Sequence, residues 1–140
     1  MLEIGQPLHT YDYDQLPDQE IVVRNSLSGE VMTNLKRQPM TLNVEDIIIS
    51  SGKEIISLAG IVGSQVASIN NETTNILIES AFFDASSIKK TSQRLNFSTQ
   101  ASQYFSKEYN LPFGNYALAR TIELIKEVCP EAEVEKNVIS

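Results

Sequence analysis

The sequence contains very little cysteine or histidine: among its 140 residues there is one of each, Cys129 and His9. A lone cysteine cannot form an intramolecular disulfide, and one histidine with carboxylates is a weak ligand set for structural zinc. We therefore expect neither a disulfide framework nor a metal site. A chain of this length can instead bury roughly two-thirds of its unfolded surface in one apolar core.

Long apolar runs are also missing. No stretch approaches eighteen consecutive apolar residues, so no membrane-spanning helix is predicted. Residues 1–4 lack the basic start and following apolar segment of a secretory signal. With 41% hydrophobic residues spread along the chain, the composition is typical of one globular domain, and we expect a cytoplasmic protein without membrane contact.

Basic residues are few, with 11 Lys and Arg against 18 Asp and Glu and a net charge of −7. This excess of acidic residues argues against a protein that binds nucleic acid over most of its surface, because neutralising phosphates requires clustered Lys and Arg. Lys89, Lys90 and Arg94 form the local exception. They are candidate nucleic-acid contacts, and the alternative interpretation is an ordinary solvated helix end.

The common catalytic motifs are absent as well. The sequence has no Walker loop, no dinucleotide-binding glycine pattern, no zinc-protease helix and no serine flanked by glycines in a nucleophile elbow. Two glycines, Gly60 and Gly63, lie in the segment Leu-Ala-Gly-Ile-Val-Gly-Ser. Without other information they indicate a tight turn between strands, where glycine permits unusual backbone angles and close approach.

What the sequence does contain is a set of short β-branched runs, which occupy most of the first two-thirds of the chain. Turn-forming residues separate these runs, so an antiparallel or mixed β layer with short connections is predicted. The predicted strands are residues 21–24, 46–49, 54–58 and 75–79.

After residue 81 the pattern becomes helical. Asp84 can cap a short helix, and Ser98 or Thr99 can open a second one. A third helix is predicted from about residue 115 to 128, ended by Pro130. It carries an apolar stripe at spacings of four, three and four residues, made of Leu118, Ile122, Ile125 and Cys129.

Four further segments follow one another in a characteristic order: Gly-Gln-Pro-Leu-His-Thr-Tyr-Asp (residues 5–12), Leu-Ala-Gly-Ile-Val-Gly (58–63), Asn-Glu-Thr-Thr-Asn-Ile-Leu-Ile-Glu-Ser-Ala-Phe-Phe (71–83) and Leu-Asn-Phe-Ser-Thr-Gln-Ala-Ser (95–102). Together they resemble the B3/B4 editing domain of the β subunit of bacterial phenylalanyl-tRNA synthetase. In that family the first segment usually reads Gly-Gln-Pro-Leu/Met-His-Ala-Phe-Asp. The resemblance covers residues 1 to about 129.

The resemblance implies an α+β fold, a β-sandwich of mixed strands flanked by helices. It further implies that residues 1–140 are a single B3/B4-type domain excised from a larger β subunit, and both ends of the chain look cut rather than finished. Its partners would be tRNA(Phe), the catalytic α subunit and the remainder of the β subunit. No cofactor is expected in this domain, since ATP and Mg would act only at the synthetic site elsewhere in the enzyme.

The function implied is hydrolysis of tRNA(Phe) wrongly charged with tyrosine. An apolar synthetic pocket that accepts phenylalanine cannot strongly reject the same ring bearing a hydroxyl, so a second sieve must remove the error. A buried carboxylate such as Glu79 can accept the tyrosine hydroxyl, whereas phenylalanine would leave it desolvated and unpaired. Tyrosine is therefore the expected editing ligand.

The family's pocket carries over onto His9, Gly63, Glu79, Thr99 and Ala101, with His9 and Glu79 in the catalytic roles. The resemblance implies that His9 positions the terminal adenosine or the attacking water. Backbone N–H groups around Gly60 and Gly63 could stabilise the oxyanion.

Each of these residues also has a purely structural interpretation. Glu79 would be an outward-facing strand residue, and His9 would be hydrogen-bonded locally after Pro7. The glycines would serve only the turn, while Thr99 would be a helix cap and Ala101 simple packing.

Three departures from the family pattern bear on the surroundings of the pocket. The usual Arg, Glu and Gly are missing from residues 103–112, the usual Leu-Asp-Gly turn is absent near residues 34–37, and Ser64 replaces a glycine. They leave the pocket residues unchanged but alter their support. The alternative function is therefore a non-catalytic structural or tRNA-binding module that retains the fold.

Overall fold

Short strands and three helices make up the part of the chain that the structure, a computed structural model, describes: residues 3–107 and 114–135. The strands are β1 (His9–Asp12), β2 (Val22–Asn25), β3 (Val31–Thr33), β4 (Pro39–Thr41), β5 (Ile47–Ser51), β6 (Glu54–Leu58), β7 (Val62–Gly63) and β8 (Ile76–Glu79). The helices are α1 (Ala85–Arg94), α2 (Gln100–Phe105) and α3 (Gly114–Val128), and a 3-10 turn, Tyr13–Gln15, follows β1.

The strands pair in three sheets. The central sheet has the order β2-β5-β6-β7, and two smaller sheets are formed by β1 with β8 and by β3 with β4. The α+β class is confirmed. Every strand pairing within the described residues is antiparallel, which is one of the two arrangements that the residue pattern predicted. The mixed strand directions implied by the resemblance do not occur among these pairings.

The central sheet has an apolar cluster on each face. Ile48 and Ile49 are adjacent in β5 and point to opposite faces, since side chains alternate along a strand. Ile48 joins a cluster with the methionines of β3 and β4 and with α1 and α2, whereas Ile49 joins a cluster with Tyr11 of β1. The central sheet thus lies between two apolar cores.

A β-bulge in β6 sets which residues face each core. Ile49 pairs with Ser57 but the next residue, Ser50, pairs with Ile55, so Ile56 has no partner of its own. The extra residue leaves Ile55 on the face of the β3–β4 cluster and Ile56 on the face of Tyr11.

The predicted strands and helices all form, and the ends of the four strands and of the third helix lie within two residues of the predicted ones. Asp84 caps α1, where its Oδ2 accepts from Ser87 N at 2.7 Å. Of the two candidates for the second cap, Thr99 is the cap of α2. No helix within the described ranges is long and apolar enough to cross a membrane.

The sequence did not predict β1, β3, β4 or β7, which are two to four residues long. Three of them have only two or three residues, too few for an alternating pattern. β1 is as long as β2 and β8 but lacks a run of β-branched residues. The omission of β1 matters most, because β1 begins with His9.

Candidate functional site

A narrow cleft brings together five of the six residues predicted for the pocket. Its volume is about 60 Å³, and its walls include His9, Gly60, Gly63, Glu79 and Ala101. Residues separated by up to 92 positions in the sequence therefore share one cavity. The cleft is narrower than most ligand pockets, which measure about 300–1,000 Å³.

The pairing of β1 with β8 places the two proposed catalytic residues side by side. His9 and Glu79 are direct partners in the antiparallel register. Side chains of directly opposed residues lie on the same face with Cβ atoms roughly 4.5–5.5 Å apart. The outward-facing interpretation of Glu79 does not fit the structure, because Glu79 lines the cleft and its carboxylate is bonded to the buried Tyr11.

The Glu79 carboxylate is held from within the protein by Tyr11. The Tyr11 hydroxyl donates to Glu79 Oε2 at 2.5 Å. Burial raises the pKa of the Glu79 carboxyl above its ordinary value, and the bond from Tyr11 partly opposes that rise. Burial and the adjacent carboxylate also raise the pKa of Tyr11. The phenol consequently remains a protonated donor.

The imidazole of His9 packs in the cleft between Tyr11 and Gly63. The His9 and Tyr11 rings meet edge to face, with centroids 4.6 Å apart and an angle of 71°. A Cβ added at Gly63 would lie 2.6 Å from both Cε1 and Nε2 of His9. No hydrogen-bond partner of the imidazole is found in residues 3–107 or 114–135, so the described residues do not support a locally hydrogen-bonded histidine.

Burial lowers the pKa of His9 below its ordinary value of 6.5. We expect the imidazole of the folded chain to titrate below 6.5, and that of the urea-unfolded chain to titrate near 6.5. Between these two pKa values the unfolded chain binds more protons than the folded chain. The free energy of unfolding therefore decreases as the pH falls from 6.5 through the folded-state pKa of His9.

An NMR titration of the imidazole resonances measures both values without assignment, since the chain has one histidine. A folded-state midpoint at or above 6.5 would contradict the burial of the ring.

The segment with Gly60 is a tight turn that also forms part of the cleft. Ile61 N donates to Leu58 O at 3.0 Å, and Gly60 has a φ of +66°. A Cβ at Gly60 would lie 2.9 Å from Phe83 and 3.3 Å from Phe105. The geometric interpretation of this glycine therefore holds together with its place in the cleft wall.

Thr99 supports the cleft without lining it. Its Oγ1 accepts from Ser102 N at 3.0 Å and donates to Ile61 O at 2.8 Å, while Thr99 N donates to Ser102 Oγ at 2.9 Å. The hydroxyl is thus occupied as a helix cap and as a link to the Gly60 turn. This link places Ala101, in the first turn of α2, in the cleft wall.

The basic residues of α1 lie outside the cleft. The Arg94 guanidinium is bonded to the carboxylate of Asp46, which is 1% exposed and also accepts from Thr91 Oγ1 at 2.7 Å. Arg94 therefore ties the end of α1 to the central sheet. Lys89 and Lys90 are exposed, and Lys90 borders a separate open groove of about 410 Å³.

The turn at residues 34–37 is built by the side chain of Asn34 in place of the missing Leu-Asp-Gly. Asn34 Oδ1 accepts from Lys36 N at 2.9 Å and from Gln38 N at 3.0 Å. Leu35 N donates to Gly63 O at 3.1 Å. The altered turn thus still supports β7, which contains Gly63.

The other two departures differ in how much of them the structure describes. Ser64 is buried, and its Oγ accepts from Val66 N at 3.0 Å. Of residues 103–112, the first five are described and include Phe105, which meets Phe83 edge to face at 5.1 Å. Residues 108–112 lie outside the described ranges.

Sequence reasoning missed Tyr11 and Ser57 as parts of the site. Burial and Glu79 raise the pKa of the Tyr11 phenol, and Ser57, which lines the cleft, partly opposes that rise. A signal for Tyr11 was available, because this position is phenylalanine in the usual form of the first segment. No group of three or more His, Cys, Asp or Glu side chains that could bind a metal ion occurs in the described residues.

Comparison with known proteins gives a consistent result. The family described as "B3/4 domain" matches residues 1–130. The phenylalanine–tRNA ligase β subunit of Staphylococcus haemolyticus is 40% identical over 140 residues, which is all of this chain and 18% of that protein. The subunits of the same name from Dehalococcoides mccartyi and Geobacter sulfurreducens are each 40% identical over 128 residues, 91% of this chain and 16% of each protein.

These matches confirm the resemblance carried by the four segments. The chain spans less than a fifth of the length of these curated relatives.

Proposed function

The chain belongs to the B3/4 domain family, and we propose that it is the editing domain of a phenylalanine–tRNA ligase β subunit, hydrolysing the ester that links tyrosine to tRNA(Phe). The observation that carries the proposal is the half-buried Glu79 side chain in the wall of a cleft, paired in register with the only histidine of the chain. Within the subunit, residues 1–140 act as one domain.

The selectivity follows from the cost of an unpaired buried carboxylate. A bound tyrosine would donate its hydroxyl to Glu79, whereas a bound phenylalanine would leave the same oxygen desolvated without a donor. An unsatisfied buried group costs about 1–3 kcal/mol, and more when it is charged. Correctly charged tRNA is therefore spared.

Hydrolysis requires a water molecule placed against the ester and donors for the developing oxyanion. The lowered pKa of His9 leaves its imidazole neutral near pH 7, the form that can accept a proton or orient a water molecule or the terminal adenosine. Gly60 of the turn and Gly63 of β7 line the same cleft, and their backbone N–H groups would be the donors for the oxyanion.

The remaining parts of the reaction lie elsewhere in the enzyme. The catalytic α subunit and the rest of the β subunit would supply most tRNA affinity, which suits a chain with a net charge of −7. Lys89 and Lys90 remain candidates for local phosphate contact. ATP and Mg would be used at the synthetic site only, and the enzyme would act in the cytoplasm.

Replacing Glu79 tests the proposal. In the assembled ligase that carries this chain, we expect Glu79→Ala to slow clearance of Tyr-tRNA(Phe) by roughly 10- to 100-fold, because a hydrogen bond to a charged group contributes about 1.5–3 kcal/mol. Charging with phenylalanine should be unchanged. The measurement is the rate of deacylation of preformed Tyr-tRNA(Phe).

Glu72→Ala serves as the matched control, since Glu72 is exposed in the turn before β8. A Glu79→Ala enzyme that clears Tyr-tRNA(Phe) as fast as the wild type would remove Glu79 from the proposed role.

The narrow cleft favours a second candidate, a structural or tRNA-binding module without editing activity. At about 60 Å³ the cleft is small for an aromatic amino acid. Soaking crystals of the chain with free tyrosine or phenylalanine separates the two functions. An editing domain should bind tyrosine beside Glu79, and an inactive module should bind neither amino acid.

A further inference from the structure

Tyr11 is the donor that holds the Glu79 side chain in the described part of the structure. Its hydroxyl bonds to Oε2, and no donor in residues 3–107 or 114–135 bonds to Oε1. An ionised carboxylate can accept on both oxygens. Oε1 is thus the oxygen that a ligand could use.

The Tyr11 phenol reaches Glu79 from the core and not from the cleft. Tyr11 is 1% exposed and belongs to the apolar cluster beneath the central sheet. Glu79 and Ser57 line the cleft, whereas Tyr11 does not. The phenol therefore lies behind the carboxylate, on the side away from an entering ligand.

We propose that Tyr11 is a positioning residue that fixes the Glu79 carboxylate with Oε1 directed into the cleft, as the acceptor for the hydroxyl of a tyrosyl group. This inference rests on the proposed function and assigns the basis of its selectivity to a second residue. A glutamate side chain has several rotatable bonds, so an acceptor that discriminates by one hydroxyl must be held in place.

Tyr11→Phe tests this assignment, because it removes the hydroxyl and keeps the ring that packs against His9. Two quantities are measured by NMR on the 140-residue chain: the affinities for free L-tyrosine and L-phenylalanine, and the titration of the Glu79 carboxyl carbon. We expect the affinity for tyrosine to fall roughly tenfold, with phenylalanine binding unchanged. The pKa of Glu79 should rise, since the bond from Tyr11 lowers it.

Tyr104→Phe is the matched control, since that ring packs on Phe105 and its hydroxyl makes no bond to Glu79 in the described residues. It should leave both measurements as in the wild type. A folded Tyr11→Phe chain in which the Glu79 pKa is unchanged would overturn the proposal. Tighter tyrosine binding by this variant would also overturn it, because the phenol would then be a competitor for the carboxylate.

Failure of the proposed function gives a different result. In that case the wild-type chain shows no preference for tyrosine over phenylalanine, whereas Tyr11→Phe still raises the pKa of Glu79. The hydrogen bond by which Tyr11 positions the Glu79 carboxylate would then be supported. The role of Tyr11 in selectivity would be overturned together with the editing function.

Discussion

Replacing Gly60 with alanine is expected to destabilise the chain by about 2–5 kcal/mol. Two costs add at this position. An L-residue in the left-handed region costs roughly 1–2 kcal/mol, and Gly60 has a φ of +66°. The new methyl group would also meet Phe83 at 2.9 Å and Ile88 at 3.2 Å, and overpacking of a core typically costs about 1–3 kcal/mol.

The measurement is urea denaturation of the 140-residue chain, compared with Gly29→Ala. Gly29 also has a positive φ, +79°, but a Cβ there meets nothing within 4 Å. Gly29→Ala should therefore cost only the backbone strain, about 1–2 kcal/mol. Equal destabilisation by the two substitutions would mean that the side chains around the new methyl group move aside without loss of stability. Packing would then not require glycine at position 60.

The local parts of the fold could be predicted because each depends on neighbours in the sequence. Asp84 caps α1 through a bond to the backbone three residues later, and a cap of this kind is visible in the sequence itself. The strand of residues 54–58 forms with the predicted bounds, since its β-branched residues lie between clear turn signals.

The parts that could not be predicted depend on distant residues. The extra residue in β6, Ile56, is specified by the pairing of β5 with β6 and leaves no mark on the pattern of β6 alone. Similarly, Arg94 looks like a phosphate ligand in sequence, and only the fold brings it to Asp46, 48 residues away.

The candidate site was predicted from the resemblance and not from general motifs. Once the four segments are aligned with the family, His9 and Glu79 are identified, and the β1–β8 register gives a physical reason for their proximity. The resemblance does not predict how the carboxylate is held. That depends on the hydroxyl of Tyr11, at a position where the usual segment has none.

Replacing Gly63 with alanine is expected to slow editing by the assembled ligase on the order of 100-fold, because a displacement of about 1 Å in a catalytic group can have that effect. The Cβ would lie 2.6 Å from two atoms of the His9 imidazole, so the ring must move. Gly63 does not have a positive φ, which makes the alanine backbone acceptable. Stability should therefore fall by only about 1–3 kcal/mol.

The rate of Tyr-tRNA(Phe) deacylation, measured in a double-mutant cycle with His9→Ala, separates this mechanism from a general distortion of the turn. Without the imidazole the methyl group has room, so Gly63→Ala should cause little further loss in the His9→Ala enzyme. The pKa of His9 in the Gly63→Ala chain should also move back toward 6.5 as the ring leaves its buried position. If the two substitutions instead reduce the rate independently, contact between the methyl group and the imidazole is not the cause, and Gly63 acts through the backbone of β7.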